Sequence, residues 1–175
     1  MPKHRSRSLV FSSCSILMAS LFAYSASVQL DDPDWYLWLP LYALATAVNL
    51  FHIRFASKSI EMTARAVLLL GSVLFLKVVV EDYTRGIAGF WSLDMRERVV
   101  REKLGSGLVV ASMFLHLKAS PAASERKPPM KGRNKNRRGA TTAGWVDYGM
   151  AVLVAVSYGL SYCFFKFVIG EMKKM

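Results

Sequence analysis

The feature that most constrains this chain is that its apolar residues fall into long blocks instead of being spread with a fine period. The hydrocarbon layer of a bilayer is roughly 30 Å thick, so a helix needs about 20 mostly apolar residues to cross it. Blocks at about 9–30, 35–55, 62–80 and 146–169 approach or meet that length, and one at about 105–117 does so when extended back to residue 99. Together they take up most of the 175 residues and leave little for a separate soluble domain. In lipid every backbone polar group must be satisfied within the spanning structure, so blocks of this length read as helices. The expectation is an all-α, polytopic membrane helix bundle of about five transmembrane helices, one membrane domain over 1–175, with spans at about 9–30, 35–55, 62–80, 99–117 and 146–169. The alternative is four spans plus one interfacial or re-entrant helix, because the fourth block is short.

Basic residues decide between these topologies. The net charge of +11 would suggest nucleic acid in a soluble protein. In a membrane protein Lys and Arg gather in cytoplasmic loops and face anionic lipid, so no nucleic-acid partner is expected. With five crossings, the side of the N-terminus holds fourteen basic residues: Lys3, Arg5, Arg7, Arg54, Lys58, Arg65 and the eight from Lys118 to Arg138. The other side holds eight, from Arg85 to Lys103 and from Lys166 to Lys174, with Lys77 left in a span. With four crossings the balance inverts, to nine against thirteen. Five crossings therefore fit better, with the N-terminus cytoplasmic and the C-terminus non-cytoplasmic. The first block follows a short basic segment, as in a signal peptide, but is longer than the roughly 7–15 residues of a signal-peptide core, so a retained helix is expected.

Residues 118–144 differ in composition. Pro121, Pro128 and Pro129 sit among Lys and Arg, and no apolar period is present. Such a segment buries too little surface to offset the entropy of ordering it. It reads as a disordered basic cytoplasmic loop, and residues 118–138 either as a contact for anionic lipid at roughly 1 kcal/mol per basic residue near the surface or simply as a determinant of topology.

The first hairpin turns at Asp31-Asp32-Pro33-Asp34. Asp32 suits an N-cap, Pro33 the first helical position, and Asp34 the positive end of the helix dipole. Trp35, Tyr36 and Trp38 then fall where amphipathic rings prefer the interface, and Pro40 is expected to bend the helix one turn in. Arg98, Arg101 and Lys103 are expected to reach toward head groups from the start of the fourth helix. Helix association in lipid relies on small residues that let backbones approach. Ser15, Ala19, Ala23 and Ser27 recur every four residues in the first helix, and Ala151, Ala155, Gly159 and Cys163 in the fifth. These two ridges are expected to be helix-packing faces, against each other or against a further membrane-protein partner or second copy. The cysteines Cys14 and Cys163 read as small interface residues.

Candidate sites are few. Gln29, Asp31, Asp32 and Asp34 form a polar cluster that offers oxygen to a hard divalent cation, or simply a helix cap and acidic turn. Lys77 and Glu81 stand four residues apart and read as an intramembrane ion pair. Ser106 and His116 are ten residues apart in one helix, roughly 15 Å along its axis, and cannot act together as nucleophile and base within that helix. Ser106 reads as part of a small-residue patch, and His52 and His116 as interfacial. No phosphate-cradling glycine loop and no HExxH pattern is present. No catalytic residue, metal or cofactor is expected.

The stretch Gln29-Leu30-Asp31-Asp32-Pro33-Asp34, followed by an aromatic helix start and Tyr42, resembles the first hairpin of the transmembrane protein 220 family. Arg101-Glu102-Lys103-Leu104-Gly105, leading into Gly107 to Val110, is similar to that family's charged entry to its fourth helix, and Tyr162 through Met172 is similar to its ending. The likeness spans about 13–118 and 145–172. The basic loop from Ser120 to Ala143 and the residues around Lys103 to Ser106 depart from the pattern, and the loop puts any shared cytoplasmic partner in doubt. The resemblance implies a small multi-pass membrane protein and brings no catalytic residues. The functional expectation is a non-enzymatic accessory or scaffold protein. The alternative is a small transporter or channel component working through Gln29, Asn49, Lys77 and Glu81. A cavity reaching those side chains would favour transport, and a dry small-residue interface would favour a scaffold.

Overall fold

The structure, a computed structural model, describes residues 9–54, 58–86, 97–120 and 135–172, of which 52–54, 135–143 and 167–172 are described as backbone only. The described residues form five long helices: α1 (Leu9–Val28), α2 (Trp35–Arg54), α3 (Lys58–Arg85), α4 (Arg98–Ala119) and α5 (Lys135–Met172). A single 3-10 turn, Gln29–Asp31, follows α1. Three segments are long and apolar enough to cross a membrane, Leu9–Asp31, Lys58–Arg85 and Gly144–Lys166, and Trp35–Phe51 is a shorter apolar helix. The chain is an all-α, multi-pass membrane bundle, as its blocks require.

Side-chain contacts fix how the helices run. At one end, Phe11 of α1 meets His116 of α4 edge to face, with ring centroids 5.2 Å apart. At the other end, Asp34 beside α2 meets Lys77 of α3 and Arg98 of α4. Leu41 lies against Gly71 and Phe75 against Gly107, so α2, α3 and α4 alternate in direction. Gly149 lies against Leu115, while Ser157 and Tyr158 reach Met18 and Ser20, so α5 runs opposite to α4 and alongside α1 in the same sense. α4 has 22 residues, ~33 Å at 1.5 Å per residue, and lies along the length of α3. The first end carries the start of α1.

Close approach occurs where glycine faces a neighbour. A Cβ on Gly71 would meet Val110 at 3.2 Å, one on Gly149 would meet Leu115 at 3.0 Å, and one on Gly105 would fall 2.0 Å from the Tyr42 hydroxyl. Tyr42 is the middle of a buried aromatic column, with Phe22 and Trp38 each 6.3 Å from it in stacked orientation. The α1 interface is built from Phe11, Cys14, Ser15, Met18, Ala19, Phe22 and Ala26.

Several expectations are corrected here. The α1 ridge is inward only in its first half: Ser15 and Ala19 are buried, whereas Ala23 and Ser27 are exposed. A helix turns 100° per residue, so a four-residue step drifts ~40°; the series from Ser15 starts ~100° round from the one at Cys14 and drifts off the buried stripe after Ala19, while Cys14, Met18, Phe22 and Ala26 stay on it. On α5, Ala151 is half-buried and Ala155, Gly159 and Cys163 are exposed, with open space around Gly159. The two ridges do not pack against each other within the chain. The helical backbone of α5 begins at Lys135, inside the segment read as disordered; residues 121–134 of that segment lie outside the described residues. Trp35 and Tyr36 are exposed, but Trp38 is fully buried. α2 opens at Trp35, two residues later than the Pro33 start, and runs on through Pro40.

Candidate functional site: an ionic cluster between three helices

The second end of the bundle gathers charge from three elements far apart in sequence. Asp34 stands just before α2 and projects its carboxylate across the turn. Its Oδ2 accepts from Trp38 Nε1 at 3.2 Å and from Arg98 Nη2 at 3.0 Å, and Lys77 Nζ lies 3.6 Å away. Arg98 Nε in turn lies 2.8 Å from Glu102 Oε1, one helical turn further along α4. Beside this, Lys103 Nζ donates to Asp82 Oδ2 at 2.9 Å. This second pair is inside the protein, with Lys103 only 6% and Asp82 only 3% exposed. Breaking a buried pair leaves an uncompensated charge in low dielectric, so the pair ties α3 to α4 more firmly than a surface bridge would. Glu81 pairs with Arg85 at 2.9 Å at the end of α3.

The chain was expected to place Lys103 near head groups. It points inward because α4 packs along α3, which puts position 103 opposite Asp82. Glu102 and Ser106 are also buried, and Ser106 Oγ donates to the Glu102 carbonyl at 2.7 Å. The polar face of α4 is therefore its inner face. That explains why α4 is less apolar than its neighbours although it runs the length of the bundle.

A second polar node sits near the first end. Asn49 Nδ2 donates to the Ala45 carbonyl at 2.9 Å, which fixes the amide so that Oδ1 faces α4. There Ser112 Oγ donates to Oδ1 at 3.2 Å, and His116 Nε2 lies 2.9 Å from it. With an acceptor facing it, His116 Nε2 carries the hydrogen. Asn49, Ser112 and His116 are all fully buried, so His116 is an interior residue and not an interfacial one. Ser106 lies on the other side of α4's midpoint, away from His116, and the two form no nucleophile–base pair.

The predicted site residues are thus partly brought together. Asp34 and Lys77 meet, joining two clusters that the sequence kept separate. Lys77 takes Asp34 and Glu81 takes Arg85, in place of the expected Lys77–Glu81 pair. Asp31 is exposed, and Gln29 and Asp32 are half-buried on the turn. Among the described residues, no three His, Cys, Asp or Glu side chains converge in a way that can hold a metal ion. Cys14 is buried and Cys163 exposed, both as free thiols. Arg98, Glu102, Lys103, Asp82 and Tyr42 were not singled out in advance as a site.

Two shallow grooves open on the sides of the bundle. One, between α3 and α4, is lined by Leu68, Phe75, Gly107, Val110, Ala111 and Phe114. The other, between α1 and α5, is lined by aromatic and serine side chains around Tyr158, whose hydroxyl lies 2.8 Å from Ser20 Oγ. Neither is lined by Gln29, Asn49, Lys77 or Glu81.

Residues 21–118 match the family model described as Transmembrane family 220, helix, which covers more than half of the chain. The chain belongs to that family. The match takes in α2, α3, α4 and the second half of α1, and so contains every residue of the ionic cluster and of the Asn49 node. It ends before α5, so the likeness seen at Tyr162 to Met172 lies outside the matched segment. No solved structure matches the chain.

Proposed function

We propose that this family member is a non-enzymatic accessory or scaffold component of a membrane assembly. In this reading the chain crosses the bilayer five times, with its N-terminus in the cytoplasm and its C-terminus on the other side. The observation that carries it is the placing of charge: Asp34 with Lys77 and Arg98, and Asp82 with Lys103, pair across helix seams, and the two grooves described above open elsewhere. A transporter or channel component, the alternative, needs a cavity that reaches Gln29, Asn49, Lys77 or Glu81.

A scaffold also needs a surface for a partner. Ala155, Gly159 and Cys163 form an outward strip of small residues on α5, the kind of face on which another membrane helix can approach closely. The basic residues of 118–138 supply a contact with anionic lipid on the cytoplasmic side. The test is affinity purification of the full chain in mild detergent, followed by identification of co-purifying proteins and lipids. A stoichiometric protein partner, lost when Gly159→Leu is introduced, supports the scaffold. Recovery of the chain alone with a bound polar solute overturns it in favour of transport.

A further inference from the structure

The ionic cluster is not electrically complete. Glu102 is 1% exposed, yet neither carboxylate oxygen accepts a hydrogen bond among the described residues. Oε1 lies beside Arg98 Nε as an ion pair off the hydrogen-bonding line, and Oε2 faces no donor. Asp34 Oδ1 and Gln29 Oε1 are likewise buried without a donor. One further buried atom without a partner, the Ser15 hydroxyl, lies on α1 toward the first end; the other four are all acceptors and all belong to the second end. Buried polar groups in folded proteins are almost always partnered, so orphans of one kind at one end point to a missing donor.

The charge tally points the same way. Asp82 is taken by Lys103 and Glu81 by Arg85. Asp34 and Glu102 are left to share the single guanidinium of Arg98. Lys77 also reaches Asp34, at 3.6 Å; its side chain is 42% and that of Arg98 36% exposed, so solvent screens both cations. Glu102 itself has only the Arg98 guanidinium as ion-pair partner among the described residues, and shares it with Asp34, so its buried carboxylate is weakly compensated. A divalent ion would overcompensate, and it lacks a third carboxylate. The groups facing Glu102 are Asp34 and Tyr42 from the α2 side, Lys77 and Glu81 from α3, and Arg98 on its own helix.

We propose that Asp34 and Glu102 together bind one monovalent cation, an alkali ion or a proton, between α2 and α4 at the second end of the bundle. The site is independent of whether the chain serves as a scaffold.

The experiment uses the full chain in detergent–lipid micelles. Its unfolding midpoint is followed as sodium replaces choline at fixed ionic strength, and infrared spectra are recorded at neutral pH. With an alkali ion as ligand, sodium raises the midpoint saturably by a few degrees, and Glu102→Gln abolishes the rise. With a proton as ligand, sodium has no effect, and a protonated carboxyl band is present in the wild type and absent in Glu102→Gln. If Glu102→Gln does not fold, Asp34→Asn takes its place in both readings. If neither variant folds, the wild type decides by whether it shows a saturable sodium response or a protonated band. The proposal is overturned by a wild type with neither signal, or by a signal that survives unchanged in the variants.

Discussion

Gly105→Ala is the perturbation whose cost follows most directly from the packing. A Cβ at position 105 would fall 2.0 Å from Tyr42 Oη, whereas ordinary contacts begin at 3.4 Å, so the oxygen must move about 1.4 Å. The ring has little room to do so, because it is buried and stacked between Phe22 and Trp38. Overpacking a filled core costs roughly 1–3 kcal/mol, and a displacement of this size belongs at the upper end. Replacing glycine by alanine inside a helix returns about 1 kcal/mol. The net expectation is a loss of about 2 kcal/mol. Removing the obstructing atom should reverse it: with Tyr42→Phe the nearest ring carbon lies 3.1 Å from the new Cβ, a gap closed by a few tenths of an ångström. The double variant should then fall within about 0.5 kcal/mol of Tyr42→Phe alone, giving a coupling well above the additivity of independent sites. The assay is reversible unfolding in mixed detergent micelles. A Gly105→Ala chain as stable as wild type, or a double variant no better than the single, would refute the packing of Tyr42 of α2 against Gly105 of α4.

Other expectations follow from the same coordinates. Lys103→Met should destabilise by about 3 kcal/mol, because it leaves Asp82 short of its buried cation, and Asp82→Leu in the same chain should recover most of the loss; both are read by unfolding in detergent. Asn49→Ala removes the acceptor shared by Ser112 and His116 and should cost about 1–3 kcal/mol for each donor left unpaired, measured in the same assay. Ala19→Leu should lower monomer stability by roughly 1–3 kcal/mol by overpacking the α1 interface, while Gly159→Leu, in open space, should leave it within about 0.5 kcal/mol; equal effects would show that the α1 and α5 faces are misassigned.

Helices and their order were legible because lipid imposes a length on each apolar block, and the aspartate-rich turn marked the first hairpin. The interior of the site was much less so. Asp34 finds Arg98 64 residues away, and Asn49 finds His116 67 residues away, so no local spacing announces either contact. Lys77 and Glu81 did have a helical spacing, but it misled. An acid placed four residues before a base is favoured over the reverse order, and Glu81 accordingly takes Arg85 while Lys77 is free to reach Asp34. The charged start of α4 was read as leaning toward head groups because composition cannot show which face of a helix is inside. The α1 ridge failed for a related reason: a four-residue series drifts ~40° per step, so Cys14, Met18, Phe22 and Ala26 cross the buried stripe from one edge to the other, whereas the series begun one residue later at Ser15 starts ~100° further round and drifts out of it.

The account rests on α4 lying in the bilayer as a full crossing with its polar face turned inward. The direct measurement is labelling by a membrane-impermeant thiol reagent, in intact and permeabilised cells, of chains in which Cys14 and Cys163 are serine and one reporter is introduced, Ser6→Cys or Lys174→Cys. Five alternating helices require the two reporters to lie on opposite sides of the membrane, so that one of Lys174→Cys and Ser6→Cys is labelled without permeabilising the protein's own membrane and the other only after it. Labelling of both from the same side would contradict the arrangement.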